Sequence, residues 1–248
     1  MDTLEAEEKP QAVDLPEKPP KKKRIKVLRP SQIINKVRNI LPFEGKYAES
    51  FGQPEKHAKW FITGPPAAGK SSLMFMLCNY LTKYGVVDYN NHEEAGGDSQ
   101  TVGQKIEQSL MNDKDGKVRF YKAPLISDEY ETMMDRLKKR KSADFAILDS
   151  IQHAEMNKKI YLHYTESFCK PKKGKMMLFI SHWAKNDFTK FVKHDCDIKV
   201  EVIGHVAYVE SRYGGGKPFL IWEKGAKDHW RKNYNLVIQG RYWPGKKK

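Results

Sequence analysis

Cysteine is scarce in this chain: Cys78, Cys169 and Cys196 are the three in 248 residues. They lie far apart and no two form a Cys-x-x-Cys pair. That spacing reads as reduced thiols in a cytoplasmic protein, with no zinc site and no disulfide framework. Long apolar runs are missing too. None approaches the roughly 20 residues that a membrane span requires, so no membrane partner is expected. The first ten residues, MDTLEAEEKP, are acidic and polar, the wrong chemistry for a secretory signal. Acid is outnumbered by base: 31 Asp and Glu against 45 Lys and Arg, a formal net charge of +14. Such a surplus favours a polyanionic partner, nucleic acid most simply, and is silent about fold.

The ends of the chain differ from its middle. Residues 1–30 hold five of the 13 prolines, an acidic cluster, and then the basic run KPPKKKRIKVLRP. Such a segment buries too little apolar area to offset its ordering entropy, so it is expected to be a disordered tail. Its PPKKKRIKV block has the look of a nuclear import signal, but the use expected of it is electrostatic tethering to nucleic acid. Apolar Ile33, Ile34, Val37, Ile40 and Leu41 recur at helical spacing, predicting a short helix over 31–50 that packs on the main domain or on a neighbouring subunit. Residues 31–240 then read as a single domain, and 241–248 as a basic C-terminal tail.

From Lys59 onward apolar strands and amphipathic runs alternate. The strands are KWFIT, VVDYN, KVRFYKA, DFAILD and KMMLFIS. Between them lie helices over 71–85 (closed by a C-cap at Gly85), 97–111, a run opening on Ser127, and 154–168. After that helices are expected to stop. IKVEVIG, HVAYVES, PFLIWEK and YNLVIQG read as short strands joined by Gly-rich turns. The pattern predicts an α/β fold with a parallel central sheet flanked by helices and extended by antiparallel C-terminal strands.

Between the first strand and first helix stands Gly64-Pro65-Pro66-Ala67-Ala68-Gly69-Lys70-Ser71, a full GxxxxGK[ST] match followed by Ser72. Glycines let backbone N–H groups turn toward phosphate oxygens. The helix beginning at Gly69 adds the positive end of its dipole. Lys70 supplies a fixed cation for the β and γ phosphates, and the Ser71 hydroxyl suits Mg²⁺. ATP and Mg²⁺ are the expected cofactors. Hydrolysis needs two more groups. Asp149 ends the apolar strand FAILD and is placed to hold the metal. Glu93 and Glu94 follow VVDYN, and Glu93 is the choice for orienting water. His182 follows KMMLFIS and can sense the γ-phosphate through a hydrogen bond.

The order of these pieces resembles the RecA-type ATPases, and most closely their RadA and DnaB-like branch. The residues that carry the resemblance are GPPAAGKSS, NHEE, ILDSIQHA, FISHWAKNDF, VKHDCDIKVEV and VESRYGGGKPFLIW, spread over roughly residues 45 to 225. It implies that Glu93 polarises water, that Asp149 is the Walker B acid and that His182 is a switch after the fifth strand. Arg212 would reach a neighbouring subunit's nucleotide in a ring or filament. One departure stands out: where such proteins carry Lys-Asn-Arg, this chain has Glu210-Ser211-Arg212. The chain is a short core of the kind expected from phages or mobile elements.

The stretch WAKNDFTKFVKHD follows His182 and mixes Trp183, Phe188 and Phe191 with Lys185, Lys190 and Lys193. In RecA-type proteins a loop here lines a central channel. Lysines neutralise phosphates and aromatic faces stack on bases. Basic runs at 137–141 and 170–175, and the aromatic-basic tail 229–248, add to the same reading. The expectation is an ATPase acting on single- or double-stranded DNA in recombination, replication or unwinding. The alternatives are an ATP-dependent switch or scaffold without translocation and, more distantly, a small-molecule kinase.

Overall fold

The computed structural model describes residues 27–94, 99–109, 116–182 and 186–242. The expectations for the N-terminal tail, for the import-like block and for the last basic residues fall almost wholly outside that range. Residues up to Val37 form one unit and Arg38–Lys248 another. In the first, α1 (Pro30–Ile34) opens on a proline at its first turn and buries none of its residues. In the second, α2 (Gly45–Phe51) buries Ser50 and Phe51. The single helix expected over 31–50 is therefore two short ones. Pro42 lies between them, and a proline disfavours the helical conformation of the residue before it.

The second unit is built on an eight-stranded sheet. Its strands are β1 (Lys59–Gly64), β2 (Val87–Asn91), β3 (Val118–Tyr121), β4 (Phe145–Asp149), β5 (Met176–His182), β6 (Ile198–Ile203), β7 (Val206–Ser211) and β8 (Phe219–Leu220). They lie in the order β3-β2-β4-β5-β1-β6-β7-β8. From β3 to β6 all pairs are parallel. The last two pairings are antiparallel, as expected. Helices α3 (Lys70–Leu81), α4 (Gln100–Gln108), α5 (Met133–Lys138), α6 (Lys158–Phe168) and α7 (Asp187–Asp195) alternate with the strands. Period-two alternation sends Trp60 and Ile62 into a core shared with α3, and Phe61 into a second core shared with α5, α6 and α7. The sheet is thus apolar on both faces, which is why its strands read as nearly continuous hydrophobic runs.

Several elements differ from the sequence expectation. The helix opening at Ser127 begins at Met133. The Ser127 hydroxyl instead accepts the N–H groups of Glu129 and Tyr130, closing a tight turn. Thr132 and Asp135 then form a reciprocal capping box. α6 starts at Lys158 because the Asn157 side chain accepts the Ile160 N–H. Helices do not stop after β5. PFLIWEK yields only the two-residue β8 before α8 (Glu223–Trp230), and YNLVIQG is helical as α9 (Tyr234–Ile238). Ala226 and Val237 pack with Val206 and Tyr208 there, so these helices cover apolar surface near the sheet's last edge. Among the described residues no helix is long and apolar enough to cross a membrane.

Gly85 is not the helix cap. α3 ends at Leu81 with Thr82 as its C-cap, and Gly85 serves close packing instead. A Cβ there would stand 2.2 Å from Asp144 Oδ2. The same carboxylate oxygen accepts the Val86 N–H at 3.1 Å, and Oδ1 pairs with Lys56 at 2.7 Å. Gly85→Ala is expected to destabilise the fold by ~1–3 kcal/mol, the usual cost of overpacking, read as a lowered midpoint in urea at unchanged slope.

Candidate functional site

The parallel strands end at one edge of the sheet, and the chemistry gathers there. β1 runs into the phosphate-binding loop. Gly64 pairs in register with His182 on β5, and Asn91 of β2 with Asp149 of β4. Four chain segments distant in sequence thus deliver polar residues to adjacent strand tips.

The loop folds through unusual backbone angles. Gly69 precedes α3 with φ 102°, and a Cβ there would press against His205 Nδ1 at 3.1 Å. Ala67 is also left-handed, at φ 56°. Pro65 and Pro66 carry no N–H. The donors for phosphate therefore come from the residues after them, and the first N–H groups of α3 have no carbonyl within the helix. Lys70 is buried, and its ammonium donates to the carbonyls of Gly64 and Pro65 at 3.0 Å each. The turn between β6 and β7 braces the loop from outside: the His205 N–H donates to the Ala68 carbonyl at 3.0 Å.

Asp149 is 4% exposed. One carboxylate oxygen accepts the Tyr89 hydroxyl at 2.5 Å. The other, Oδ1, is buried with no hydrogen-bond partner. A buried carboxylate oxygen without a donor is costly, and a cation offsets that cost. Burial pushes the Asp149 pKa up to about 6. The Tyr89 hydrogen bond opposes the rise, the neighbouring Glu93 adds to it, and Lys70 opposes it. Lys70 in turn is lowered by burial, against the attraction of Glu93 and Asp149. This donor set fits a Mg²⁺-bound triphosphate: Asp149 and Ser71 offer oxygens to the metal, and Lys70 offers charge to the phosphates.

The two glutamates after β2 part ways. Glu94 accepts the Thr101 hydroxyl at 2.8 Å and pairs with Lys105 at 2.5 Å, fastening α4 to the strand tip. Glu93 stays at the site. Its N–H donates to the Asp149 carbonyl at 3.2 Å, and its carboxylate lies 3.8 Å from His182 Nε2. His182 is held in turn by Gln152, whose Oε1 accepts the His182 N–H at 3.2 Å and whose Nε2 donates to Ser181 Oγ at 2.7 Å. Burial lowers the His182 pKa, Glu93 raises it, and Lys70 and His153 lower it again.

Sequence reasoning did not single out Tyr89, Gln152 or His153. Tyr89 is an apolar-looking strand residue whose hydroxyl matters only because β2 and β4 are neighbours. Gln152 and His153 lay in the ILDSIQHA run, three and four residues past the strand acid, where the signal existed.

The other expected site residues lie elsewhere. Arg212 is 61% exposed and bonds Asp197 at 3.0 Å, and the Asp197 N–H donates to the Lys59 carbonyl. Lys59 starts β1, so Arg212 lies about 17 Å of strand away from its own loop. Glu210 stands opposite Lys199 across the β6–β7 pair, an opposite-charge match. Trp183 and Lys185 fall outside the described residues. The stretch after them is helix α7 rather than a loop, and Phe188 and Phe191 pack against the second core near Tyr161. They are thereby removed from base stacking. Lys190 and Lys193 are exposed on α7, with Lys190 paired to Asp187.

Beside the loop opens a cleft of about 500 Å³ lined by Ser72, Met76, Lys105, His205, Ile221 and Trp222. The Trp222 ring is 51% exposed and meets His205 edge-on at 4.9 Å.

The Asp149 environment generates a pH test. Unfolded, an Asp titrates near 3.9. With the folded value raised, the folded chain binds this proton more tightly, and the ionised form costs stability above pH 6. Asp149→Asn keeps an acceptor for Tyr89 and removes that charge. It is expected to raise the melting temperature at pH 8, with a gain that shrinks from pH 6 to pH 4 and vanishes below. A variant equally stabilised at pH 4 and pH 8 contradicts this account.

No protein-family description matches the chain, and no curated protein matches it. Solved structures do. The flagellar accessory protein FlaH from Methanocaldococcus jannaschii superposes with a TM-score of 0.54 at 14% identity, covering 74% of this chain and 95% of that one. An ATPase from the type III secretion system of pathogenic bacteria gives a TM-score of 0.42 at 10% identity, over 67% of this chain and 58% of that one. Identities this low speak to fold alone. With its sheet order and its phosphate-binding loop, the chain has the RecA-like P-loop fold.

Proposed function

We propose that this chain binds Mg²⁺-ATP at residues 64–72 and hydrolyses it. The observation that carries the reading is the convergence of Lys70, Asp149, Glu93 and His182 on one sheet edge. In this reading the N–H groups of the loop and α3 cradle the phosphates, with Lys70 on the β and γ groups. Ser71 and Asp149 hold Mg²⁺, which withdraws charge from the transferring phosphoryl group. Glu93 accepts a hydrogen bond from the attacking water, and His182 reports on the γ-phosphate to the segment that follows it. The cleft at Ser72, His205 and Trp222 takes the ribose and base.

The partner we infer is nucleic acid, on the strength of the +14 charge and of the exposed Lys190 and Lys193 on the helix after the His182 tip. We also infer self-association into a ring or filament, a reading supported by Arg212 being exposed and too far from its own loop to serve it. By motif order the chain resembles the RadA and DnaB-like branch. The second reading, a nucleotide-dependent switch or scaffold that does not translocate, is favoured by Phe188 and Phe191 being tied into the core.

Lys70→Ala is expected to weaken ATP binding by about 10- to 100-fold, the worth of a hydrogen bond to a charged group. Glu93→Gln should bind ATP as the wild type does and lose about 10²- to 10⁴-fold in turnover. Normal hydrolysis by Glu93→Gln removes the water-orienting assignment. Adding single-stranded DNA to the wild type separates the two readings: a motor's ATPase rate rises, while a scaffold's stays level.

A further inference from the structure

The tips of β2 and β5 and the turn after β4 bring together one carboxylate and two imidazoles, and magnesium does not choose the imidazoles. Glu93, His153 and His182 each offer a ligand atom, and all three atoms lie within 4.8 Å of one another. His182 Nε2 stands 3.5 Å from His153 Nδ1 and 3.8 Å from a Glu93 carboxylate oxygen. A tetrahedral zinc ion with bonds of about 2.0–2.1 Å places its ligand atoms about 3.3 Å apart, so the two pairs at His182 close with shifts of a few tenths of an ångström and the Glu93–His153 pair by rotation of exposed side chains. The set, two imidazoles and one carboxylate, is that of zinc sites that keep a fourth position open. Mg²⁺ takes oxygen ligands, so the two metals would use different residues at adjoining places.

We propose that Glu93, His153 and His182 form a site for Zn²⁺ or a similar borderline divalent cation, and that occupancy of this site arrests hydrolysis.

The ligands are carried on fixed backbone. The Glu93 N–H is bonded to the Asp149 carbonyl and the His182 N–H to Gln152. Ser150 Oγ lies 2.9 Å from His153 Nδ1. The ion takes that lone pair and the hydroxyl rotates away. Lys70 is near enough to interact with both Glu93 and His182, and its charge opposes a cation. The carboxylates of Glu93 and Asp149 offset that opposition. The arrest rests on the reading of Glu93 as the water-orienting group: a carboxylate that gives a lone pair to zinc is a weaker base and is held away from the attacking water. Nucleotide binding, which uses Lys70 and the loop, persists.

The test begins with zinc titrated calorimetrically into the full nucleotide-free chain. One Zn²⁺ per chain is expected. His153→Ala and His182→Ala, each confirmed folded by circular dichroism, should weaken it by more than the ~10–100-fold that loss of a merely supporting partner costs. His163→Ala, on the exposed face of α6, should bind as the wild type does. Absence of stoichiometric binding, or equal binding by all three variants, overturns the site. The second arm measures hydrolysis of Mg²⁺-ATP with added Zn²⁺. Inhibition reversed by a chelator, and blunted in His153→Ala, supports the arrest. Stoichiometric zinc with undiminished hydrolysis overturns the arrest and removes Glu93 from the water-orienting role, while the titration still stands as evidence for the metal site.

Discussion

The buried ammonium of Lys70 requires negative charge close by, and the architecture follows from how that charge is supplied. Neither Asp149 nor Glu93 is near Lys70 in sequence. A parallel sheet brings them in because every strand points the same way and every strand tip opens on the same edge. The order β2-β4-β5-β1 puts the two acid-bearing tips on one side of the loop strand, with His182 on the strand between. The resulting balance is close. Burial disfavours the charged form of Lys70 and of Asp149 alike; Glu93 and Asp149 favour the charged Lys70, while the Tyr89 hydrogen bond and Lys70 favour the charged Asp149 against the repulsion of Glu93. In the proposed reading a triphosphate and its metal would bring charges of both signs into this arrangement, and the Asp149 oxygen without a hydrogen-bond donor would gain a cation.

The surrounding structure holds that edge still. Tyr89 fixes one Asp149 oxygen from the adjacent strand, and Gln152 ties the turn after β4 to the tip of β5. Glu94 fastens α4 to the end of β2, and the β6–β7 turn holds the loop at Ala68. None of these residues needs to touch a phosphate to matter. They set the angles at which the ones that do are presented. Arg212 marks the opposite edge, tied to Asp197 beside the start of β1.

Much of this was legible in the residues. The phosphate loop, five parallel strands with their intervening helices and the Asp149 tip all came from spacing and periodicity. The reason is local: a GxxxxGKS crook between a strand and a helix admits few other conformations, and a fully apolar strand ending in one acid announces both burial and an edge. What failed, failed where tertiary contacts outvote local pattern. Gly85 has the composition of a helix cap but serves the approach of Asp144. YNLVIQG has the apolar run of a strand but is helical, with Val237 buried against Val206 and Tyr208. Phe188 and Phe191, interleaved with lysines, read as stacking platforms. The helical period turns them inward and leaves Lys190 and Lys193 outside.

By itself the sequence determined the phosphate loop, the alternation of strands and helices, and the surplus of positive charge, because each depends on residues adjacent in the chain. Tertiary structure alone decided that Glu94 is drawn off to Thr101 and Lys105, and that Tyr89 braces Asp149. It alone set Glu93, His153 and His182 within ligand distance of one another. Those outcomes depend on which strands are neighbours and in what register, and that is settled by the packing of two apolar sheet faces rather than by the residues at the tips.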